Sequence, residues 1–242
     1  MKYAILSDIH GNLEAFQSVL NEIEKESPDK IFFLGDIVGY GANPNQSIEL
    51  LKTITDMVVV GNHDHAAVGL TDISYFNIYA KEAILWTQTH LTSDNVEYLK
   101  GLPFSRKIED ITLFHSSPKE PEKWYYIFGI DNIEDNFNYF DTRICLIGHT
   151  HVPLIIIEDK KKELFVSIEN PIKIKNNLRY MINIGSVGQP RDGDNRSAYA
   201  IYDTEKNLFQ IHRVFYDIHK AQAKIISKGI PEYLAYRLAY GK

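Results

Sequence analysis

Short apolar runs alternate with helical periodicity in the first sixty residues of the chain. Lys2 to Leu6 is strand-like, and apolar side chains then recur at helical spacing until Ser27-Pro28-Asp29. Ile31 to Leu34 forms a second buried run, Pro44 opens a short helix, and Met57 to Val60 forms a third run. This β-α-β-α-β order predicts a parallel sheet that is covered by helices.

The pattern changes in the second part of the chain. Helical spacing without strand signals predicts a helical excursion near 66–105, and the sequence then becomes rich in β-strand patterns. Further hairpin turns and C-terminal helices are predicted at 158–162, 204–207 and 217–240. We find no internal repeat or low-complexity segment, which favours a single two-layered domain over residues 1–242.

Composition narrows the class of protein. The 242 residues are 44% hydrophobic and 12% aromatic, which is enough for a substantial core. The net charge of -6 argues against long nucleic acid as the main partner. The lone Cys145 lies in the apolar run RICLIGH and is predicted to be a buried small hydrophobe. No signal-peptide pattern opens the chain and no run approaches the roughly 20 apolar residues of a membrane span, so a cytoplasmic location is expected.

Polar side chains that can bind metal follow five of the predicted strands directly. They are Asp8 and His10, Asp36, Asn62 and His63, His115, and His149 and His151. The carboxyl ends of strands in an open α/β sheet form the crevice in which ligands bind, so we expect these side chains to converge. Carboxylate, imidazole and amide groups together suit manganese, iron, zinc or nickel. The lack of thiolates disfavours a structural zinc site.

Each of these strand-end motifs, considered by itself, also has a structural interpretation that involves no metal. Asp8 is compatible with an N-capping aspartate, Asp36 with an Asx-turn, and the sequence from His149 to His151 with an exposed turn. Independent turns have no reason to choose only metal-competent residues, so the set as a whole favours a metal site. The number of side chains exceeds what one ion needs, which predicts two divalent ions. Two divalent cations held by only two anionic side chains leave a net positive charge. Such a centre would prefer an anionic, phosphate-like substrate.

In chain order, five motifs resemble those of the calcineurin-like metallophosphoesterase superfamily. They are D-x-H (Asp8, His10), G-D (Gly35, Asp36), G-N-H-D (Gly61 to Asp64), a lone strand-end histidine (His115) and G-H-T-H (Gly148 to His151). The turns GDIVGYGANP and GSVGQPRDG and the closing GIPEYLAYRLAYGK are similar to a small bacterial branch of predicted phosphodiesterases. That branch includes proteins similar to asymmetrical diadenosine tetraphosphate hydrolases. The resemblance implies an α/β fold, a two-sheet β-sandwich with helices on both outer sides.

The resemblance also implies roles for the residues. The first metal would be held by Asp8, His10 and His151, the second by Asn62, His115 and His149, and Asp36 would bridge the two. His63 would face the substrate as a general acid for the leaving oxygen, or as a cation that stabilises the transition state, with a metal-bridging hydroxide as nucleophile. Asp64 would tie down its turn, and His65 would lie outside the cluster.

One motif departs from the superfamily. Many of its phosphatases read G-D-x-x-D-R-G, in which the second aspartate steadies the catalytic histidine. The corresponding positions here are Gly39, Tyr40 and Gly41, so this turn supplies neither a carboxylate partner for His63 nor an arginine for phosphate. Arg191, in a glycine-rich turn after a predicted strand, is the substitute candidate for a phosphate contact. The alternative for Arg191 is a solvated turn charge.

The predicted function is therefore a binuclear-metal phosphoesterase that acts on a small phosphodiester or phosphoanhydride, for example a dinucleoside polyphosphate. One alternative is a broad phosphomonoesterase or protein phosphatase, and a different class is a non-catalytic scaffold with the same fold. Loss of metal ligands would mark a scaffold, but every ligand position is filled here. Four aromatic residues of the helical segment could stack a nucleobase, although helical spacing favours the core for part of them: Tyr75, Tyr79, Trp86 and Tyr98.

Overall fold

Two mixed β-sheets form the centre of the computed structural model, which describes residues 1–131 and 133–242. The strands are β1 (Lys2–Leu6), β2 (Lys30–Phe33), β3 (Ser105–Ile108), β4 (Ile111–Phe114), β5 (Ile144–Ile147), β6 (Leu154–Glu158), β7 (Leu164–Ser167), β8 (Ile172–Lys173), β9 (Arg179–Asn183), β10 (Ser197–Asp203) and β11 (Leu208–Val214). The first sheet has the order β2-β1-β10-β11-β8, and the second has the order β3-β4-β5-β9-β6-β7.

Helices lie between the strands and after the last strand. They are α1 (Leu13–Glu26), α2 (Pro44–Ile54), α3 (Asn62–Ala67), α4 (Ile78–His90), α5 (Ser93–Lys100), α6 (Ile218–Ser227) and α7 (Glu232–Tyr236), with 3-10 helices at Pro121–Lys123, Glu134–Asn138 and Arg237–Tyr240. Side-chain caps fix several starts: the Asn77, Thr92 and Asp217 side chains each accept a backbone N–H bond at the start of their helix. Within the described residues, no helix is long and apolar enough to cross a membrane.

The core between the sheets explains why the strands are apolar without interruption. In β1, Tyr3 and Ile5 pack in a core shared with β4, β5 and β9 of the second sheet. Ala4 and Leu6 point the other way and pack with α1 and α2. A strand that is buried on both faces has a continuous apolar sequence. Two facing sheets with helices outside form a β-sandwich, so the expected α/β sandwich fold is confirmed.

The two outer faces are covered differently. The first sheet is covered by α1 and α2, and α4 and α5 of the helical segment pack against α2. The second sheet is covered by apolar side chains on irregular chain and the 3-10 helix at Glu134–Asn138, namely Ile127, Ile133, Phe137 and Phe140. The helix expected outside this sheet is the short 3-10 helix, and the four apolar side chains shield the outer face of the sheet.

One local prediction was wrong. Met57 to Val60 is not a full strand: it meets β2 at one bridge between Phe33 and Val58, and the Val60 N–H donates to the Pro103 carbonyl instead. The parallel arrangement predicted for the first sixty residues is confirmed by β1, β2 and this bridge, and the same sheet also contains β10, which is antiparallel to β1. The predicted hairpins at 158–162 and 204–207 are confirmed, since they join β6 to β7 and β10 to β11.

The parallel pairings position the ends of the strands. β1 and β2 are parallel neighbours in the first sheet, and β4, β5 and β9 are parallel neighbours in the second. Parallel strands present their carboxyl ends at the same edge of a sheet. The side chains that follow these strands therefore meet at one end of the sandwich.

Candidate metal centre

Seven side chains from the ends of the strands form two adjoining groups. Each group has donor atoms that lie within 4.8 Å of one another: Asp8, His10, Asp36 and His151 in one, and Asp36, His115 and His149 in the other. Asn62 extends the second group, because its Oδ1 lies 3.2 Å from His115 Nε2. Asp36 belongs to both groups, so its carboxylate lies between them.

The spacing of the donor atoms suits a divalent ion. His10 Nε2 lies 2.9 Å from His151 Nε2, and the latter lies 3.2 Å from Asp8 Oδ1. His115 Nε2 lies 3.2 Å from His149 Nδ1. Ligands held about 2.0–2.2 Å from an ion are roughly 3–3.5 Å from one another. Asp8 Oδ1 is buried and has no hydrogen-bond partner among the described residues, as expected for an oxygen that faces a cation.

Backbone carbonyls fix which nitrogen of each histidine faces the cluster. A ring N–H donates outward in every case: His10 Nδ1 to Val38 at 3.0 Å, His115 Nδ1 to Leu34 at 2.7 Å, His151 Nδ1 to Gln189 at 2.6 Å and His149 Nε2 to Trp124 at 2.9 Å. A carbonyl oxygen can only accept, so the opposite nitrogen of each ring has a lone pair for the cluster whenever that ring is neutral. This arrangement is typical of metal-ligating histidines.

Backbone strain is concentrated at the same positions. Five of the cluster residues have a left-handed backbone conformation: Asp8 (φ 54°), His10 (51°), Asp36 (58°), His149 (70°) and His151 (61°). This conformation is uncommon for residues other than glycine and costs roughly 1–2 kcal/mol per residue. It bends the chain out of the strand direction at both ligands of D-x-H and of H-x-H, so the chain does not continue as a strand past the site. Such strain persists at functional sites because the surrounding structure holds it in place.

Asp64 fastens the turn that carries Asp36. Its Oδ2 accepts the backbone N–H groups of Asp36 (2.8 Å) and Gly61 (3.1 Å). Its Oδ1 accepts those of Ile37 (2.8 Å) and Val38 (3.1 Å). Burial and the nearby Asp36 raise the pKa of the Asp64 carboxyl to about 7, and the Gly61 and Val38 N–H groups oppose this rise. The expectation that Asp64 ties down its turn is confirmed by these four bonds.

Electrostatics keep both cluster carboxylates ionised. Burial disfavours their charge, but the neighbouring histidines, His151 for Asp8 and His115 for Asp36, hold their pKa values well below the usual range. Burial opposes a charge on His115 as well, yet Asp36 raises the pKa of His115 to about 9. Burial lowers the pKa values of His149 and His151 to about 3, with further lowering from His115 and Arg191 respectively.

His63 lies beside the cluster and is positioned by packing. Its ring is flanked by the rings of Tyr40, Phe76 and His10 at centroid distances of 4.4, 5.1 and 4.9 Å. Its Nδ1 is buried, with no hydrogen-bond partner among the described residues. Burial lowers the pKa of His63 well below its usual value, although Asp36 opposes the effect. His63 is therefore held by aromatic contacts, and no carboxylate among the described residues bonds its Nδ1.

Arg191 lies beside the same cluster. Its guanidinium donates to Gln189 Oε1 through Nη2 at 2.7 Å and lies 5.5 Å from the centre of the Tyr40 ring. Its backbone N–H donates to the His151 carbonyl at 3.2 Å. The positive charge of Arg191 also lowers the pKa of His63. Arg191 is partly buried at the edge of the cluster, with its guanidinium held by Gln189 and the Tyr40 ring.

A cleft of 730 Å³ opens above part of the cluster. Asn62, His63 and His149 line it together with residues of two segments, one from Leu70 to Ala80 and the other from Glu122 to Tyr126. Of the four aromatic residues proposed from the helical segment, Tyr75 lines this cleft. The other three pack elsewhere: Tyr79 on Tyr233, Trp86 on His90, and Tyr98 beneath the Lys52 ammonium.

The second segment of the cleft was missed by sequence reasoning. Trp124 supplies the carbonyl that orients His149, and its ring N–H donates to Thr71 Oγ1 at 3.3 Å. Tyr126 stacks on the His149 ring at 4.0 Å. The signal that could have found them is the aromatic run WYYIF, which begins at Trp124 and has no helical or strand period.

Residues 1–207 match the family model of the calcineurin-like phosphoesterase superfamily domain. The chain belongs to this superfamily. It is 43% identical over 243 residues to an uncharacterized protein of Methanocaldococcus jannaschii, with 99% of this chain and 98% of that protein covered. The calcineurin-like fold and the buried Asp/His cluster thus occur together in a metallophosphoesterase, whose donor set is compatible with divalent metal ions.

Solved structures show the same relationship. The crystal structure of a metallophosphoesterase from Sphaerobacter thermophilus is 40% identical and has a TM-score of 0.88, with 100% of this chain and 99% of that chain covered. A hypothetical protein from Pyrococcus horikoshii is 21% identical with a TM-score of 0.78, and 100% of this chain and 98% of that chain are covered. The second similarity shows the fold alone.

Proposed function

We propose that this calcineurin-like phosphoesterase binds two divalent ions and hydrolyses a small phosphodiester or phosphoanhydride. The residues assigned to the ions are Asp8, His10 and His151 for the first, Asn62, His115 and His149 for the second, and Asp36 for both. The observation that carries the proposal is the position of Asp36, because one buried carboxylate is common to two groups of donor atoms. Paired ions at such a site activate water for attack and polarise the phosphoryl group.

The residues of the chain itself would bind and protonate the substrate. His63 lines the cleft, and its Nδ1 is buried against Gly39, so Nε2 is the nitrogen available to a substrate. We assign His63 to hydrogen-bond the leaving oxygen and to deliver a proton to it. The Arg191 guanidinium, held by Gln189 and the Tyr40 ring, is assigned to a phosphate oxygen.

The cleft supports a small substrate. Its volume of 730 Å³ is within the range of about 300–1,000 Å³ that is usual for small-molecule sites. A dinucleoside polyphosphate is one substrate of this class. A broad phosphomonoesterase or protein phosphatase activity is the alternative, and a side-by-side substrate panel separates the two.

Metal analysis combined with phosphodiester hydrolysis tests the proposal. We expect the metal-loaded protein to hydrolyse bis(p-nitrophenyl) phosphate and Asp36→Asn to abolish the activity, because the shared ligand is lost. Asp141→Asn is the matched control, since Asp141 is an exposed carboxylate that pairs with Lys107. Metal analysis during reconstitution with manganese, iron, zinc or nickel would identify the preferred ion and the number bound. A folded, metal-replete protein that is inert toward a wide panel of phosphoesters would refute the proposal.

A further inference from the structure

Exposed aromatic rings stack outward from the cluster at the edge of the cleft, where Tyr126 lines both the cleft and a neighbouring cavity that Phe128 also lines. The Tyr126 ring stacks on His149 with centroids 4.0 Å apart and planes inclined by 22°. The Phe128 ring is nearly parallel to Tyr126, at 7° and 5.5 Å. Tyr75 lines the same cleft from the other segment. We call Tyr75, Tyr126 and Phe128 the aromatic wall.

These rings are open to solvent although they are large and apolar. Tyr75 is 92% exposed, Phe128 is 70% exposed and Tyr126 is 54% exposed. Single apolar residues scattered over a protein surface are normal. Exposed apolar residues that are grouped beside a functional cleft indicate contacts with a ligand. These exposed side chains contribute little to the hydrophobic core, so core packing does not explain their position beside the cleft.

We propose that the aromatic wall is a subsite for the nucleobase of a nucleoside phosphoester. This inference rests on the proposed function, because the phosphate must lie at the metal cluster. The stack of rings begins at His149, which is assigned to an ion, so a planar group on the wall would be joined to a phosphate at the cluster through a short linker such as a ribose. Base stacking on aromatic side chains tolerates any base, since each base has a π face.

Polar groups of the same cleft fit the remainder of a nucleoside. Asp72 and Glu122 provide carboxylates that can accept hydrogen bonds from ribose hydroxyls or exocyclic amino groups, and Asn77 provides an amide. Lys123 adds a positive charge that suits a further phosphate. A cleft of 730 Å³ with one apolar wall and a few polar groups is far larger than a simple alkyl phosphoester requires.

Kinetics on paired substrates test the inference in the metal-loaded protein. The substrates are the methyl phosphodiester of adenosine 5′-monophosphate and the methyl phosphodiester of glycerol phosphate, which have the same type of scissile bond and the same charge and differ in the nucleoside. We expect Tyr126→Leu and Tyr75→Ser each to raise KM for the nucleotide by roughly 5- to 100-fold relative to KM for the aliphatic ester. Tyr126→Phe should restore the nucleotide KM, because it keeps the ring. Tyr139→Leu is the control, since Tyr139 is 52% exposed and outside the residues that line the cleft.

Metal content is measured for each variant, because Tyr126 stacks on His149. An equal rise in KM for both substrates, or equal wild-type KM values for them, would overturn the subsite and leave the phosphoesterase proposal intact. Absence of hydrolysis with every phosphoester would instead remove the proposed function.

A binding measurement distinguishes failure of the base subsite from failure of the proposed phosphoesterase function. AMP alone is titrated while the fluorescence of Trp124, which lines the cleft, is followed in a Trp86→Phe background that leaves it as the sole tryptophan. Saturable quenching that weakens at least fivefold in Tyr126→Leu would support the base subsite even in an inactive protein. Failure of AMP to quench Trp124 or to bind by calorimetry would overturn it.

Discussion

Gly39 packs directly behind the imidazole of His63. A methyl group built on Gly39 would lie 2.5 Å from His63 Nδ1, and Gly39 has a φ of +94°. A side chain at this position, such as the second aspartate of the G-D-x-x-D-R-G motif, therefore has no room here. The rings of Tyr40 and Phe76 hold His63 instead.

Gly39→Ala should displace His63 without removing metal. The added methyl group collides with the imidazole, so we expect turnover to fall at least about tenfold, in the lower part of the range for loss of a proton-transfer group. Gly229→Ala is the matched control, because Gly229 has a φ of +70° and nothing within 4 Å of the added Cβ. Steady-state kinetics and metal analysis of both variants measure the difference, and equal effects would assign it to backbone strain alone.

His63→Asn should keep the metal content and lose turnover. The ring is assigned to the leaving oxygen and to none of the ions, so we expect a fall of about 10²–10⁴-fold in kcat. Elemental analysis of the purified variant is the decisive companion to the kinetics. A loss of bound metal would mean that His63 is a ligand and that its role has been misassigned.

Asp64→Asn should loosen the turn that carries Asp36. An amide replaces one acceptor oxygen by an NH2 group, which faces two backbone N–H donors, so we expect a loss of about 3 kcal/mol in the free energy of unfolding. Metal affinity should fall as well, because the Asp36 N–H is one of those donors. Denaturant titration of the metal-free protein measures the first effect. Asp217→Asn is the comparison, since Asp217 caps α6 through one backbone N–H and should cost much less.

Arg191→Gln should weaken substrate binding. Loss of a charge-assisted contact to phosphate is expected to raise KM about 10- to 100-fold with a smaller change in kcat. Arg196→Gln is the control, because Arg196 is paired with Asp194 at 2.6 Å. Equal KM values for the two variants would show that Arg191 does not contact the substrate.

Several elements could be predicted because their signals are local. The hairpins around 158–162 and 204–207 have turn residues between alternating strands, and Pro44 marks the start of α2 because its fixed φ suits the first turn of a helix. The prediction of a full strand from Met57 to Val60 was wrong because it rested on a local signal alone. Three valines have strand propensity, but the pairing depends on Pro103, which takes the Val60 N–H.

The candidate site likewise has one part that could be predicted from the sequence and another part that could not. The donor residues could be named from the sequence because each follows a buried strand, from Asp8 to His151. The support for His63 could not, since Gly39, Tyr40 and Phe76 come together only in the folded chain. The loop from Trp124 to Tyr126 was also unforeseen, because its contacts with Thr71 and His149 join distant parts of the chain.

The sequence by itself determined which chemical groups this protein offers and the strand ends from which they project, because residue identity and apolar periodicity are local properties. Only the tertiary structure decided that Asp36 lies between two groups of donors, which nitrogen each histidine presents, and which aromatic rings stay exposed. Those features depend on backbone carbonyls, strand order and side-chain packing between residues far apart in the chain. Local patterns carry no information about such pairings, since many chain paths bury the same apolar residues.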